Sequence, residues 1–387
     1  MAMVSALPRL PARRRILGLV LLGVVAFCNV AAAAPAAKAA PRATEPDYLF
    51  NDSHFHLTNY VQKGTDIHRY LEIMGDKVGR STLFGIPLQQ QWSYANSGDF
   101  APIYYLQSDA PLYYYSFTDA YIARAYQSLP KAQQARLDPM ITGFNPADMY
   151  AVDHIRRVLE LFPGVFSGIG EFSIHKEFVS SKIAGETASL TNPALDRILG
   201  FAGEVGLAVI LHNDIDMPFA KAGTEPVYLQ QLKEVLRRHP NTTIIWAHIG
   251  LGRIVHPTQG QATEETSEPS PAYQEIVEQM LQDPTLKHVY FDISWDEVAK
   301  WAIANEQIER RVADVLNKNP ERFLFGTDNV APVDQAAQLR VFHLWDPIWA
   351  QLTPEASLKI RKGNYERIFD TARRKVRAWE KTNVKPM

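Results

Sequence analysis

Six residues of metal-ligating type stand at the ends of five separate apolar runs. His54 and His56 lie in LFNDSHFHL, Glu171 in FSGIGEF, His212 in LAVILHND, His248 in TIIWAHIG and Asp328 in RFLFGTDN. Each run is short and apolar, then abruptly polar, as a buried parallel strand reads when it delivers one side chain at its carboxyl end. Imidazole and carboxylate together are the donor mix of zinc, with manganese or iron as alternatives. His54 and His56 are two apart on a strand, so both imidazoles point to one side. His212 and His248 close runs with almost no polar material, where a histidine must be hydrogen-bonded, coordinated or neutral. Asp328 is costly at a strand end without a cation or donors, and it could take the proton of a metal-activated water. Glu171 follows two glycines that permit close backbone approach, and it is placed to bridge two ions. One catalytic zinc takes about three protein ligands and an open position. Two ions roughly 3.5–4 Å apart would use all six residues. A single ion on His54, His56, His212 and Asp328 would leave His248 for substrate or water. Asp328 and His248 are thus the candidate catalytic residues. Asp52 shares the face of the two strand-one histidines one layer below, and is expected to orient one of them.

The elements that must carry these residues are legible as a repeating pattern. Strands are expected near 48–56, 82–87, 139–144, 165–171, 207–212, 243–248, 288–293 and 322–328. Helices are expected over Asp66–Gly79, Pro146–Phe162, Asn192–Val205, Glu225–Arg238, Pro271–Gln282 and Glu306–Lys318. Strands alternating with helices predict parallel pairing, and a count of eight favours an α/β fold closed as a (β/α)8 TIM barrel. Such a barrel needs about 250 residues. The surplus falls in an insertion at 88–137 after the second strand, a polar insertion at 253–272, and a mostly helical region from 334 onward. The first insertion is rich in tyrosine, which would suit a lid over an aromatic substrate, a small side core or a subunit contact in a homo-oligomer.

Further polar residues follow the strands. Arg253, just past the sixth, could hold an anionic substrate group. Asp292 and Trp295, after the seventh, are candidates to line the substrate pocket. His175 and His256 are expected in loops, mainly exposed.

The chain has 387 residues. Residues 1–40 read as an export signal: Arg9, Arg13, Arg14 and Arg15, then an apolar run, then an alanine-rich end suited to cleavage. Arg13–Leu17 also resembles a twin-arginine signal. The expected location is periplasmic or secreted, with residues 41–387 as one domain and no stable membrane insertion after cleavage. Cys28, the single cysteine, lies in the apolar run, which excludes a disulfide framework or a thiolate ligand in the mature chain. Cleavage removes five basic residues and no acid, taking 40 basic against 42 acidic to 35 against 42, a net of −7. Without a basic stripe, nucleic acid is not an expected partner, and the expected partner is a small-molecule substrate.

Asp52-Ser53-His54-Phe55-His56, the strand-final Glu171, His212 and His248, Gly326-Thr327-Asp328 and the segment Gly363–Phe369 together resemble the amidohydrolase superfamily, and most closely its amidohydrolase-related (amidohydrolase 2) branch. The resemblance runs from about residue 48 to 370. It implies a (β/α)8 barrel and metal-activated water, with His54, His56 and Asp328 on one ion, His212 and His248 on the other, and Glu171 on both. Many members bridge with a carboxylated lysine, whereas this chain has a glutamate there. The leading expectation is a metal-dependent hydrolase acting on an amide, ester or lactone. Some relatives with this fold are decarboxylases, so the alternative is non-oxidative decarboxylation of an aromatic or unsaturated acid. The third reading is a non-catalytic binding or scaffold protein.

Overall fold

The computed structural model describes residues 48–58, 64–86, 90–91, 117–176, 179–183, 186–216, 226–252 and 271–385. The expected signal segment, most of the tyrosine-rich insertion, the 253–270 stretch, Arg253 and His256 lie outside the described residues. All described residues belong to one compact unit, Pro46–Met387.

Eight apolar segments form the parallel strands, in chain order: β1 Phe50–Asp52, β2 Val78–Leu83, β3 Leu137–Ile141, β4 Gly168–Lys176, β5 Ala208–Asn213, β6 Ile244–Trp246, β7 Val289–Asp292 and β8 Phe323–Leu324. Each pairs in parallel with the next. The last returns to the first. The Ser53 amide donates to the Phe325 carbonyl at 3.2 Å, the Asp328 amide donates to the His54 carbonyl at 2.8 Å, and Asn329–Val330 pairs in parallel with Phe55–His56. The sheet is a closed (β/α)8 barrel, as the strand count leads one to expect.

Helices α1 Ile67–Met74, α2 Phe117–Gln127, α3 Ala151–Leu161, α4 Pro193–Val205, α5 Val227–Arg238 and α6 Pro271–Gln282 fall one to each crossover. Helices α7 Asp296–Ala302 and α8 Glu306–Lys318 share the seventh, and α9 Gln335–Leu344 and α10 Asn364–Asn383 follow β8. The boundaries have local causes. Asp66 caps α1 by accepting from the His68 and Arg69 amides, and Asn192 caps α4 ahead of Pro193. Such caps contribute about 1 kcal/mol each. Gly75 stops α1 at φ 50°, five residues earlier than expected, so Val78 and Gly79 begin β2 instead.

Alternate residues of a strand serve two cores. On β5, Ala208 and Ile210 join Met140, Ile245 and Leu324 in the barrel interior, while Val209 and Leu211 join the larger layer that includes the helices. That is why these runs are apolar at every position. Tyr365, Ile368, Phe369 and Ala372 of α10 belong to the interior cluster, and the Tyr365 hydroxyl donates to Asp138 at 2.7 Å.

Two expectations need correction. The fourth strand does not end at Glu171: β4 continues to Lys176, where it pairs antiparallel with Val179–Ile183. The insertion at 88–137 is not wholly extra, because α2 lies in it and serves as a crossover helix. Its Asp119 accepts from the Thr142 and Gly143 amides at 2.8 and 2.9 Å. Tyr126 of α2 is buried and Tyr121 packs against the same core. No described helix is long and apolar enough to cross a membrane.

Candidate metal centre

The six ligand-type side chains converge at the carboxyl ends of β1, β5, β6 and β8 and at Glu171 within β4. Glu171 stands at the middle. Its Oε2 lies 3.3 Å from His56 Nε2 and 3.7 Å from His54 Nε2. Its Oε1 lies 2.5 Å from His212 Nδ1 and 3.4 Å from His248 Nε2. Asp328 Oδ1 is 3.0 Å from His56 Nε2 and 3.3 Å from His54 Nε2, and its Oδ2 is 3.8 Å from His248 Nε2. Five of the side chains are buried, and Asp328 is partly exposed at 11%.

The backbone is bent to deliver them. Among the described residues, His248, Ile249, Trp295 and Asp328 hold φ of 54°, 53°, 77° and 55° at the ends of β6, β7 and β8. The left-handed region costs a non-glycine residue about 1 kcal/mol or more, and such residues cluster where packing over-determines a functional geometry. Gly326 lets β8 approach β1. A Cβ there would lie 2.6 Å from His54 Cβ and 2.8 Å from its amide nitrogen.

Burial and charge pull against each other here. Burial pulls the His54 imidazole down, but the carboxylates of Asp292 and Asp328 outweigh it and hold the ring well above its usual range. Burial raises Glu171, but Lys176, with Nζ 3.9 Å away, and His212 together hold it well below the carboxylate range. Asp328 is likewise lowered: burial opposes ionisation, and His248, His54 and His56 overcome it. His248 goes the other way, since burial lowers it and neighbouring carboxylates only partly offset the loss.

The donor set fits a divalent cation. His54 Nε2 and His248 Nε2 are fully buried, have no hydrogen-bond partner, and face the two carboxylates. Buried polar atoms left unpartnered are costly, and a cation would complete both. Two overlapping groups, His54/His56/Glu171/Asp328 and Glu171/His212/His248, each have ligand atoms within 4.8 Å of one another. Glu171 is common to both.

The residues around the ligands hold nitrogens in register. Asp292 accepts from His54 Nδ1 at 2.6 Å. This differs from the expected pocket-lining position: Asp292 is fully buried against His54. Asp214 faces His212 Nε2 at 3.0 Å, and Ser294 faces His248 Nδ1 at 3.0 Å. Such contacts fix which ring nitrogen is left to coordinate. Asp52 does not orient an imidazole. It takes the amides of His54 and Thr327 at 3.1 and 2.9 Å, with the Thr327 hydroxyl at 2.7 Å and the Gln338 amide group at 2.8 Å. Burial raises its carboxyl to about 6. Trp295 packs its ring 5.1 Å from that of His248. His175 is half-buried, not exposed, and stacks on Tyr228 at 3.9 Å.

Asp214, Ser294 and Lys176 were not among the expected site residues. Asp214 and Ser294 each sit two positions after a polar strand-end residue, His212 and Asp292. The i, i+2 rule that pairs His54 with His56 would have found both.

The amidohydrolase family model matches residues 52–371, most of the chain. No curated protein matches the sequence. Solved structures that resemble this chain include a 2,6-dihydroxybenzoate decarboxylase from Rhizobium, at 15% identity over 84% of this chain and 99% of that one, TM-score 0.46. They also include a dihydroorotase from Campylobacter jejuni, at 12% identity over 83% and 84%, TM-score 0.44. A third is an L-hydantoinase (dihydropyrimidinase) from Arthrobacter aurescens, at 10% identity over 84% and 71%, TM-score 0.46.

Proposed function

The chain belongs to the amidohydrolase family, and on that premise we propose that it is a metal-dependent hydrolase of an amide, ester or lactone bond in a small molecule. The observation that carries this reading is the split engagement of Glu171, whose two oxygens face two different groups of ligands. A pocket so furnished is suited to two cations, and the imidazole–carboxylate mix favours zinc. His54, His56 and Asp328 would hold one, His212 and His248 the other, and Glu171 both. A divalent metal there supplies Lewis acidity, which makes water nucleophilic near neutral pH and polarises a carbonyl.

The protein groups have separate tasks. Asp328 Oδ1 faces His54 and His56, and Oδ2, 3.8 Å from His248 Nε2, would take the proton from the attacking water and return it to the leaving group. The carboxylate is ionised at neutral pH, so a lone pair is free to accept that proton. The Trp295 ring packs against that of His248 on one side of the centre.

Metal analysis of the purified protein, with a panel of amides, esters, lactones and aromatic acids, tests the reading. About two equivalents of metal with water-dependent cleavage would support it. One equivalent with carbon dioxide released from an aromatic acid would replace it by decarboxylation. We also read residues 1–40 as a cleaved export signal, on their basic, apolar, alanine-rich order. N-terminal sequencing of the mature protein tests that.

A further inference from the structure

One carboxylate stands behind two imidazoles that face different halves of the centre. Asp292 Oδ2 accepts from His54 Nδ1 at 2.6 Å and from the Ser294 hydroxyl at 2.8 Å, while Asp292 Oδ1 accepts from the Ser294 amide at 2.9 Å. The Ser294 oxygen also lies 3.0 Å from His248 Nδ1 and 3.2 Å from His54 Nδ1. All four residues are fully buried. A serine hydroxyl has one proton and two lone pairs. With that proton directed to Asp292, the oxygen can only accept, and since His54 Nδ1 gives its proton to Asp292 at 2.6 Å, the donor left for it is His248 at 3.0 Å. The ring of His248 must then carry its proton on Nδ1 and its lone pair on Nε2. That Nε2 is the atom with no hydrogen-bond partner, 3.4 Å from Glu171 Oε1.

We infer that Ser294 is a positioning residue that extends the reach of Asp292 to His248, so that one carboxylate selects the ligand nitrogen in both halves of the centre. Asp292 acts on His54 directly and on His248 through the hydroxyl. The pair joins the end of β7 to ligands from β1 and β6, and it fixes imidazoles that are otherwise free to present either nitrogen. The inference rests on the two-cation reading for its metal-binding consequence. Its tautomer consequence stands without any metal.

The test therefore has two readouts. In metal-free protein carrying 15N-labelled histidine, NMR should find His248 in the Nδ1–H form. Ser294→Ala should shift it toward the Nε2–H form or a mixture, and Ser294→Thr, which keeps the hydroxyl, should restore it. In zinc titration by calorimetry, Ser294→Ala should weaken one equivalent about 10–100-fold and leave the other near the wild-type value. Asp292→Asn should weaken both, and Ser294→Thr neither. An unchanged His248 tautomer in Ser294→Ala, or a Ser294→Thr variant no better than Ser294→Ala at equal melting temperature, overturns the inference. A wild-type stoichiometry of one ion would sink the two-cation reading alone, because the tautomer measurement still decides the role of Ser294.

Discussion

Asp52 and Thr327 meet at 2.7 Å, carboxylate to hydroxyl, across 275 positions of sequence. Through this contact the acid of the first strand holds the loop that presents Asp328. The same carboxylate takes the amides of His54 and Thr327 and the side chain of Gln338. It is a knot between β1, β8 and α9 rather than a chemical group of the centre.

Asp52→Ala leaves four buried donors without their acceptor. Each unmet donor costs about 1–3 kcal/mol, and relaxation recovers part of the total, so the loss should reach about 3 kcal/mol. Urea unfolding of the variant against wild type measures it. A loss under about 1 kcal/mol would show that other groups or water replace the carboxylate.

Gly326→Ala places a methyl group against the backbone and Cβ of His54. Neither neighbour is a flexible side-chain tip, so β8 or His54 must move. Overpacking of this kind costs about 1–3 kcal/mol. The variant should also bind metal more weakly, since His54 and Asp328 flank the displaced segment. Thermal melting and zinc titration check both effects, and wild-type values in both would mean that the seam has slack the distances deny.

Asp328→Asn removes the proton acceptor of the proposed hydrolysis while keeping the shape of the side chain. Turnover should fall by roughly 10²–10⁴, with metal content largely retained. Assay of the variant on whichever substrate the panel identifies, beside its metal analysis, decides the point. Normal turnover would remove Asp328 from the chemistry.

His175 gives stability a pH dependence of known sign. Burial pushes its folded value down to about 4, against about 6.5 in an unfolded chain. Above pH 6.5 the ring is neutral in both states and contributes nothing. As pH falls from about 6.5 to about 4, the unfolded chain takes up a proton that the fold refuses, so stability drops, and below about 4 the drop levels off. The ceiling is about 3 kcal/mol. His175→Gln should lose less stability than wild type over that window. Parallel stability curves for the two proteins between pH 4 and 7 would discard the idea.

The barrel was legible in the sequence because its strands are apolar on both faces. Val209 and Ile210 point into different cores, and both must be apolar, so β5 stands out as an unbroken run. Strand ends could be read for the same reason, since His212 and His248 break such runs. Helix α2 was hidden because its buried face includes Thr118, Asp119 and Ala123, which give little contrast with its exposed side. The direction in which Asp292 faces was also hidden. A carboxylate at a strand end reads alike whether it meets a substrate or the back of a histidine, and only the approach of β7 to β1 separates the two.

The centre lies across the join between the last strand and the first, because His54 and Asp328 are neighbours only once the Asp328 amide reaches the His54 carbonyl. A nascent chain on the ribosome therefore carries its first two imidazoles, and Glu171, long before it carries Asp328. The candidate group that includes Asp328 is completed late in synthesis, when the ring shuts, and a fragment that stops short of Asp328 lacks that carboxylate however well its earlier strands have formed.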